Sequence, residues 1–302
     1  MRARPLLLPF ALSLGISASA GIIETVRASF ATGSDASAIQ QLRAYRTSRG
    51  ITPEYLEAVS WLARAELASR NYAPAEMFAR DIYAASIGQL KSRPLDREPH
   101  LPMALGAAIE IQGQVLTAQG RRSEAVSYLQ EQASVFAGTS IVTRIRKNLL
   151  LLTLEGKPAP PLENVALPKG RPALLFFWAH WCPDCKAEAS ILARIKSEFG
   201  GQGLVFLAPT QRYGYAAGGL DATPAAETAY IEQVRRTFYS GLIESPARIS
   251  ETNFTRYGAS TTPTLVLIDS AGIVRLYHPG AMTYAQLRDA VQRVAGAKGG
   301  AK

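Results

Sequence analysis

Only two of the 302 residues are cysteine and only three are histidine. One cysteine pair excludes the multi-bridge framework that staples small secreted domains. His100, His180 and His278 stand at no ligand spacing, and two cysteines alone do not complete a metal site, so a zinc centre is not expected. Long hydrophobic runs are also missing. The most apolar stretch, Pro5 to Ile16, is too short for a comfortable bilayer span, and no other segment comes near it. The chain is basic, with 33 Lys and Arg against 24 Asp and Glu, but the charge is spread out. Its densest cluster is Arg144-Ile145-Arg146-Lys147, which argues against a nucleic-acid partner and leaves weak attraction to anionic membrane surfaces.

What is present begins with a secretory leader over residues 1–20. Met1-Arg2-Ala3-Arg4 is a basic n-region, Pro5 to Ile16 an apolar h-region, and Ala18-Ser19-Ala20 an A-x-A cleavage signal. The reading is an exported protein in a periplasmic or other extracytoplasmic space, cut after Ala20, or membrane-tethered if the leader stays. Removing Arg2 and Arg4 with the leader takes the net charge from +9 to +7.

The two cysteines, Cys182 and Cys185, stand three apart. Ala173 to Trp178 is a short apolar and aromatic run behind the turn signal Lys169-Gly170-Arg171-Pro172, which predicts a buried strand. Pro183 to Phe199 carries Ala187, Ile191, Ile195 and Phe199 on one helical stripe and stops at Gly200-Gly201. Cys182 is therefore predicted at the helix N-cap with Pro183 in the first turn. Unpaired N–H groups and the positive dipole end favour a thiolate there, so the Cys182 pKa should be depressed. Cys185, one turn further in, can close a small ring and resolve a mixed disulfide formed at Cys182. Asp184 opposes the anion, whereas His180 and Lys186 favour it. His180 itself is expected to be an exposed loop residue. The residues leave open a purely structural bridge at this position, whereas Ala179 in place of threonine speaks against a peroxiredoxin-like peroxidase.

Trp178-Ala179-His180-Trp181-Cys182-Pro183-Asp184-Cys185-Lys186 resembles the W-A-x-W-C-x-x-C-[KR] signature of thioredoxin-fold proteins, most closely the TlpA/ResA group of exported thiol–disulfide oxidoreductases. A second segment, Thr262-Pro263-Thr264-Leu265-Val266-Leu267-Ile268-Asp269-Ser270-Ala271-Gly272-Ile273, is similar to that family's T-P-T-x-x-L-I-D-x-x-G-x-I run. The resemblance covers residues 156–296. It implies an α/β thioredoxin-like fold, a central mixed sheet flanked by helices, and a redox-active Cys182–Cys185 disulfide with no other cofactor. It also implies a cis Thr262–Pro263 bond facing that disulfide, with Trp181, Thr262 and Pro263 docking substrate, and Pro183, Asp184 and Lys186 flanking the motif. Protein clients with disulfides or thiols and a membrane thiol electron donor follow from the same resemblance, in a role such as cytochrome c or copper-centre assembly. Two departures stand out. Phe176 occupies the position of thioredoxin's buried acid, so the proton acceptor for Cys185 must lie elsewhere, and Ser190 replaces a helix-kinking proline.

Residues 21–155 read as an all-α domain. Thr52-Pro53 opens a helix with Leu56, Val59, Leu62, Ala63 and Leu67 on its apolar face, and Arg70 to Pro74 breaks the run. Further helices are expected over 75–89, 103–119, 123–137 and 140–154, with a proline-bearing loop over 91–102. The hairpins loosely resemble tetratricopeptide repeats, with Ile109, Gly113, Ala125 and Leu129 at fitting spacing. This domain is either a client-docking surface or a support for the catalytic domain.

Gly156-Lys157-Pro158-Ala159-Pro160-Pro161 marks the linker, and Leu162 to Leu167 is expected to form a short first strand. A strand over 204–208 leads to a long loop, Thr210 to Ala222, which holds Tyr213 and Tyr215 and is either a recognition lid or a solvated crossover. A helix from Thr223-Pro224 to about Tyr239 should turn Tyr230, Val234 and Phe238 inward. A short strand at 247–249 and a helix over 251–257 precede the proline segment. A hairpin (264–268 and 273–278), a helix over 283–294 and a flexible tail (297–302) complete the chain. The sequence thus points to an exported enzyme that reduces client disulfides. The alternative is a non-catalytic module that recruits a partner through the helical domain.

Overall fold

The computed structural model describes residues 21–32, 35–243 and 246–296. The leader and the tail lie outside the described residues. Seven α-helices come first: α1 (Ile22–Ala31), α2 (Asp35–Arg49), α3 (Pro53–Ala68), α4 (Tyr72–Leu90), α5 (Leu101–Ala118), α6 (Arg122–Val135) and α7 (Val142–Thr153), with a single 3-10 turn at Leu95–Arg97. The cap signals act as read: Thr52 Oγ1 accepts the Tyr55 N–H, and Pro53 fills the first helical position. Pro74 does not delay α4, because a proline in the first turn gives up an N–H that has no intrahelical acceptor. α5 is the centre of this half. Ala104, Leu105, Ala107, Ala108, Ile109 and Ile111 are all buried, and small residues let neighbouring helices come close. Gly113 shows how close, since a Cβ there would stand 3.1 Å from Leu129. Helical hairpins are present, but the tetratricopeptide resemblance is not confirmed. The paired helices begin at Pro53 and Leu101, further apart than a repeat of about 34 residues needs.

The second half is built on a four-stranded sheet of order β2-β1-β5-β6. Its strands are β1 (Ala173–Phe177), β2 (Val205–Leu207), β5 (Thr264–Ile268) and β6 (Val274–Pro279). β1 runs parallel to β2 and antiparallel to β5, so the sheet is mixed, as expected. A small parallel pair, β3 (Pro209–Thr210) with β4 (Arg248–Ile249), lies beyond it. Helices α8 (Pro183–Gly200), α9 (Pro224–Phe238), α10 (Glu251–Arg256) and α11 (Tyr284–Gly296) surround these strands. All five β1 residues are buried because both faces are covered. Leu174 and Phe176 face a core with Leu192, Ile195, Leu287 and Val291, while Ala173, Leu175 and Phe177 face Phe254, Tyr257 and Tyr277. No helix among the described residues is long and apolar enough to cross a membrane.

Two expectations fail locally. Residues 162–167 form no strand; only an isolated bridge, Pro158 to Ile273, precedes β1. Prolines 160, 161 and 168 remove ladder donors, and side chains hold the segment instead. The Glu163 N–H donates to Asn253 Oδ1 at 2.7 Å, and Ser250 Oγ donates to Glu163 Oε2 at 2.6 Å. Phe238 is 46% exposed rather than inward. α9 ends there, and the C-cap residue Tyr239 enters the core instead, against Phe176 and Trp178.

The two halves share a core. Leu154, at the end of α7, packs among the residues on the β1 face that carries Phe254 and Tyr257. The Tyr277 N–H donates to Glu155 Oε1 at 2.9 Å, and the Gly156 N–H to the Val274 carbonyl at 2.8 Å. The halves also come close at Gly258, where φ is +58° and a Cβ would lie 2.5 Å from the Lys147 nitrogen of α7. Gly258→Ala therefore meets both an unfavourable φ and a backbone clash. We expect a loss of about 2–4 kcal/mol in urea unfolding. An unchanged midpoint would show that α7 does not seat there.

Candidate functional site

The site grows from the end of β1. Trp178 is buried, with Nε1 donating to the Ala208 carbonyl at 3.2 Å, and its own carbonyl accepts from Thr210 Oγ1 at 2.8 Å. These bonds fix the chain where it leaves the sheet and turns into α8. Cys182 is the N-cap of α8, and its Sγ accepts the Cys185 N–H at 3.0 Å. Cys182 and Cys185 are joined as a disulfide and are both buried. A sulfur held by a helix N-terminal N–H is the arrangement that stabilises a thiolate once the bond is reduced.

The Thr262–Pro263 peptide bond is cis, and the Thr262 carbonyl oxygen lies 3.4 Å from Cys182 Sγ. The structure thus brings Cys182, Cys185, Thr262 and Pro263 together. The other predicted residues sit around them in different ways. Pro183 and Asp184 are exposed in the first turn of α8. Lys186 places its ammonium 4.9 Å from the centre of the exposed Phe238 ring. Trp181 is 44% exposed and leans edge-on against Tyr213, with ring centres 5.5 Å apart. Loop 211–222 therefore adjoins the motif.

His180 corrects its expectation: it is fully buried. Its Nε2 lies 3.0 Å from Glu227 Oε1 of α9, and Tyr213, Tyr215 and Tyr230 present their rings edge-on at 5.4 to 5.7 Å. Glu227 is equally buried and also accepts the N–H groups of Tyr213 and Gly214. One carboxyl group thus ties the turn before Cys182 to the start of the tyrosine loop. A buried carboxyl needs such partners, and they are what draw His180 inside.

Glu188 was not singled out from the sequence. It lies three residues after Cys185 on the same face of α8, and it is buried. Its Oε1 accepts the Met282 N–H at 2.9 Å, and its Oε2 has no partner among the described residues. Burial, reinforced by the Asp184 charge and opposed by the Met282 N–H, pushes its pKa up to about 7. The helical spacing Cys185 to Glu188 was the available signal.

Residues 163–295 match the family of thioredoxin-like domains. Over 50 residues the chain is 44% identical to the thiol:disulfide interchange protein TxlA homolog of Synechocystis sp., a stretch covering 17% of this chain and 27% of that relative's length. Among solved structures, a thioredoxin family thiol:disulfide interchange protein from Chlorobium tepidum aligns at 19% identity and TM-score 0.35, covering 47% of this chain and 98% of that one. The exposed lipoprotein thioredoxin Etrx1 of Streptococcus pneumoniae aligns at 26% identity and TM-score 0.30, covering 43% and 86%. Residues 163–295, which carry the C-x-x-C disulfide, thus form a thioredoxin-like domain.

Proposed function

We propose that this protein is an exported protein-disulfide reductase that works through Cys182 and Cys185. The observation that carries the reading is the placement of Cys182 Sγ, which accepts a helix N-terminal N–H and lies 3.4 Å from the carbonyl of the cis-proline edge. The reduced Cys182 thiolate attacks one sulfur of a client disulfide and expels the other as a thiolate. Cys185 then gives up its proton and attacks Cys182 Sγ, which releases the second client sulfur. Two electrons pass to the client, and Cys182–Cys185 becomes the disulfide seen here. Glu188 is the proton acceptor for Cys185, since a carboxyl with a pKa near 7 is matched to that transfer at neutral pH. A thiol donor at the membrane restores the dithiol. The interchange activity named for the Synechocystis relative supports this chemistry, and the leader pattern of residues 1–20 supports export. Clients in cytochrome c or copper-centre assembly belong to this reading.

Titration of the purified protein against a thiol buffer tests the direction. A reduction potential near the thioredoxin value of about −270 mV is expected. A potential near the strongly oxidising end, about −120 mV, would reverse the assignment to a disulfide donor. A pair that does not titrate would make the bridge structural.

A further inference from the structure

A cleft of about 440 Å³ opens between the helical half and the loop that leads into the cis-proline. Trp61, Arg64, Met103 and Arg144 form its helical wall, and Ser260 and Thr261 form the other. Thr261 is followed directly by Thr262, whose carbonyl lies against Cys182 Sγ. An extended chain advances about 3.3 Å per residue, so a client paired beside Thr262 reaches this cleft within a few residues of its cysteine.

The charge in the cleft is lopsided. Glu110 is buried and accepts from three cations: Arg64 at 3.3 Å, Lys147 at 2.6 Å, and Arg144, whose Nε donates at 2.8 Å. The second acid, Glu57, is already engaged by His100 at 2.8 Å. Three cations thus face two carboxyl groups, and both acids have partners. Arg64 is the outermost of the three, with its side chain 33% exposed and its guanidinium 5.8 Å from the centre of the Trp61 ring. Burial, followed by repulsion from Arg144, holds its pKa below the ordinary value, as crowded cations do. Beside it Met103 is half exposed, which gives the cleft an apolar floor next to its positive rim.

We propose that this cleft receives the stretch of client polypeptide next to the target cysteine, and that it selects clients carrying an acidic side chain there. The inference rests on the disulfide-exchange reading above and gives the helical half a share in client choice. Arg64 pairs with the client carboxylate, Trp61 and Met103 hold the neighbouring apolar atoms, and the cis-proline edge sets the register.

Full-length Cys185→Ser protein, reduced beforehand, tests this with synthetic peptides that each carry one cysteine as a mixed disulfide with 5-thio-2-nitrobenzoate. Attack by Cys182 on the peptide sulfur expels the coloured thiolate, so the rate is read directly. Aspartate and glutamate at the second and third positions on either side of the cysteine are compared with asparagine and glutamine. The acidic peptide should react about 10-fold faster at low salt, with the advantage shrinking as salt rises. Arg64→Gln should cut the ratio of acidic to neutral rates to about 2-fold or less, whereas Arg293→Gln, an exposed change on α11, should leave that ratio intact. Met103→Glu, at an exposed position that tolerates charge, should bring the acidic rate to or below the neutral one. Equal rates for acidic and neutral peptides, or an advantage that survives both Arg64→Gln and Met103→Glu, overturns the cleft assignment alone. No release from any peptide overturns the disulfide-exchange reading and this inference with it.

Discussion

Cys182→Ser leaves the protein without disulfide exchange, a loss on the order of 1,000-fold or more in turnover, because the one remaining thiol, Cys185, is buried a turn deeper in α8 and away from the Thr262 carbonyl. Cys185→Ser fails differently. The first attack proceeds, the resolving sulfur is gone, and the client stays bound to Cys182. Non-reducing gels of the two variants mixed with a disulfide-containing client should show adducts for Cys185→Ser alone, dispersed by added thiol. The contrast follows from the geometry, since Cys182 Sγ lies beside the Thr262 carbonyl while Cys185 sits one turn deeper in α8. A recruiting module with no chemistry would give no adduct from either variant. Binding alone requires neither cysteine.

Glu188→Gln slows turnover about 100-fold at pH 7, the lower edge of what a positioned base supplies. Its pKa of about 7 also sets the shape of the pH profile. In the wild type the resolving step accelerates as pH rises through 7 and Glu188 becomes a carboxylate. In the variant the rise shifts to the titration of the Cys185 thiol itself. Rapid mixing with a disulfide peptide across pH 5–9 separates the two, and a profile that keeps its limb near pH 7 in the variant would remove Glu188 from the mechanism. Stability gives a second readout with a definite sign. A carboxyl whose folded pKa is raised contributes stability that is complete below the ordinary carboxylate range and is lost as pH rises through 7. Wild-type urea midpoints should therefore fall relative to Glu188→Gln between pH 5 and pH 8.

Much of this site was legible in the sequence, for reasons that separate the residues cleanly. Cys182, Pro183 and Cys185 declare themselves because a helix N-terminus and a three-residue spacing are local facts. The Thr262–Pro263 edge stands 80 residues away, and only the resemblance to a known signature joined it to the cysteines. His180 misled because its burial depends on Glu227, 47 residues further on in another helix, and no local pattern announces such a partner. Glu188 lay on the right helical face, but its raised pKa comes from being closed in, and the Met282 N–H that holds one of its oxygens precedes α11. The same logic governs the fold. β1, α8 and the β5–β6 hairpin follow from apolar period and turn chemistry. The Glu163 segment looked like a strand because Leu162, Val165 and Leu167 are apolar, but bonds from Ser250 and Asn253 decide its path. Phe238 and Tyr239 are adjacent aromatics, and where α9 ends decides which one is swallowed.

The Glu227 carboxyl gives the outer wall of the site the character of a socket. Loop 211–222 plugs into it through the Tyr213 and Gly214 N–H groups, and the turn before Cys182 plugs in through His180. Neither main-chain contact depends on what the tip of the loop carries, so residues 216–221 can be exchanged as a cassette while the plug, with the Tyr215 ring against His180, is kept. The tip of the loop is thus separable from the turn that carries Cys182, and the boundary between them runs through one buried side chain.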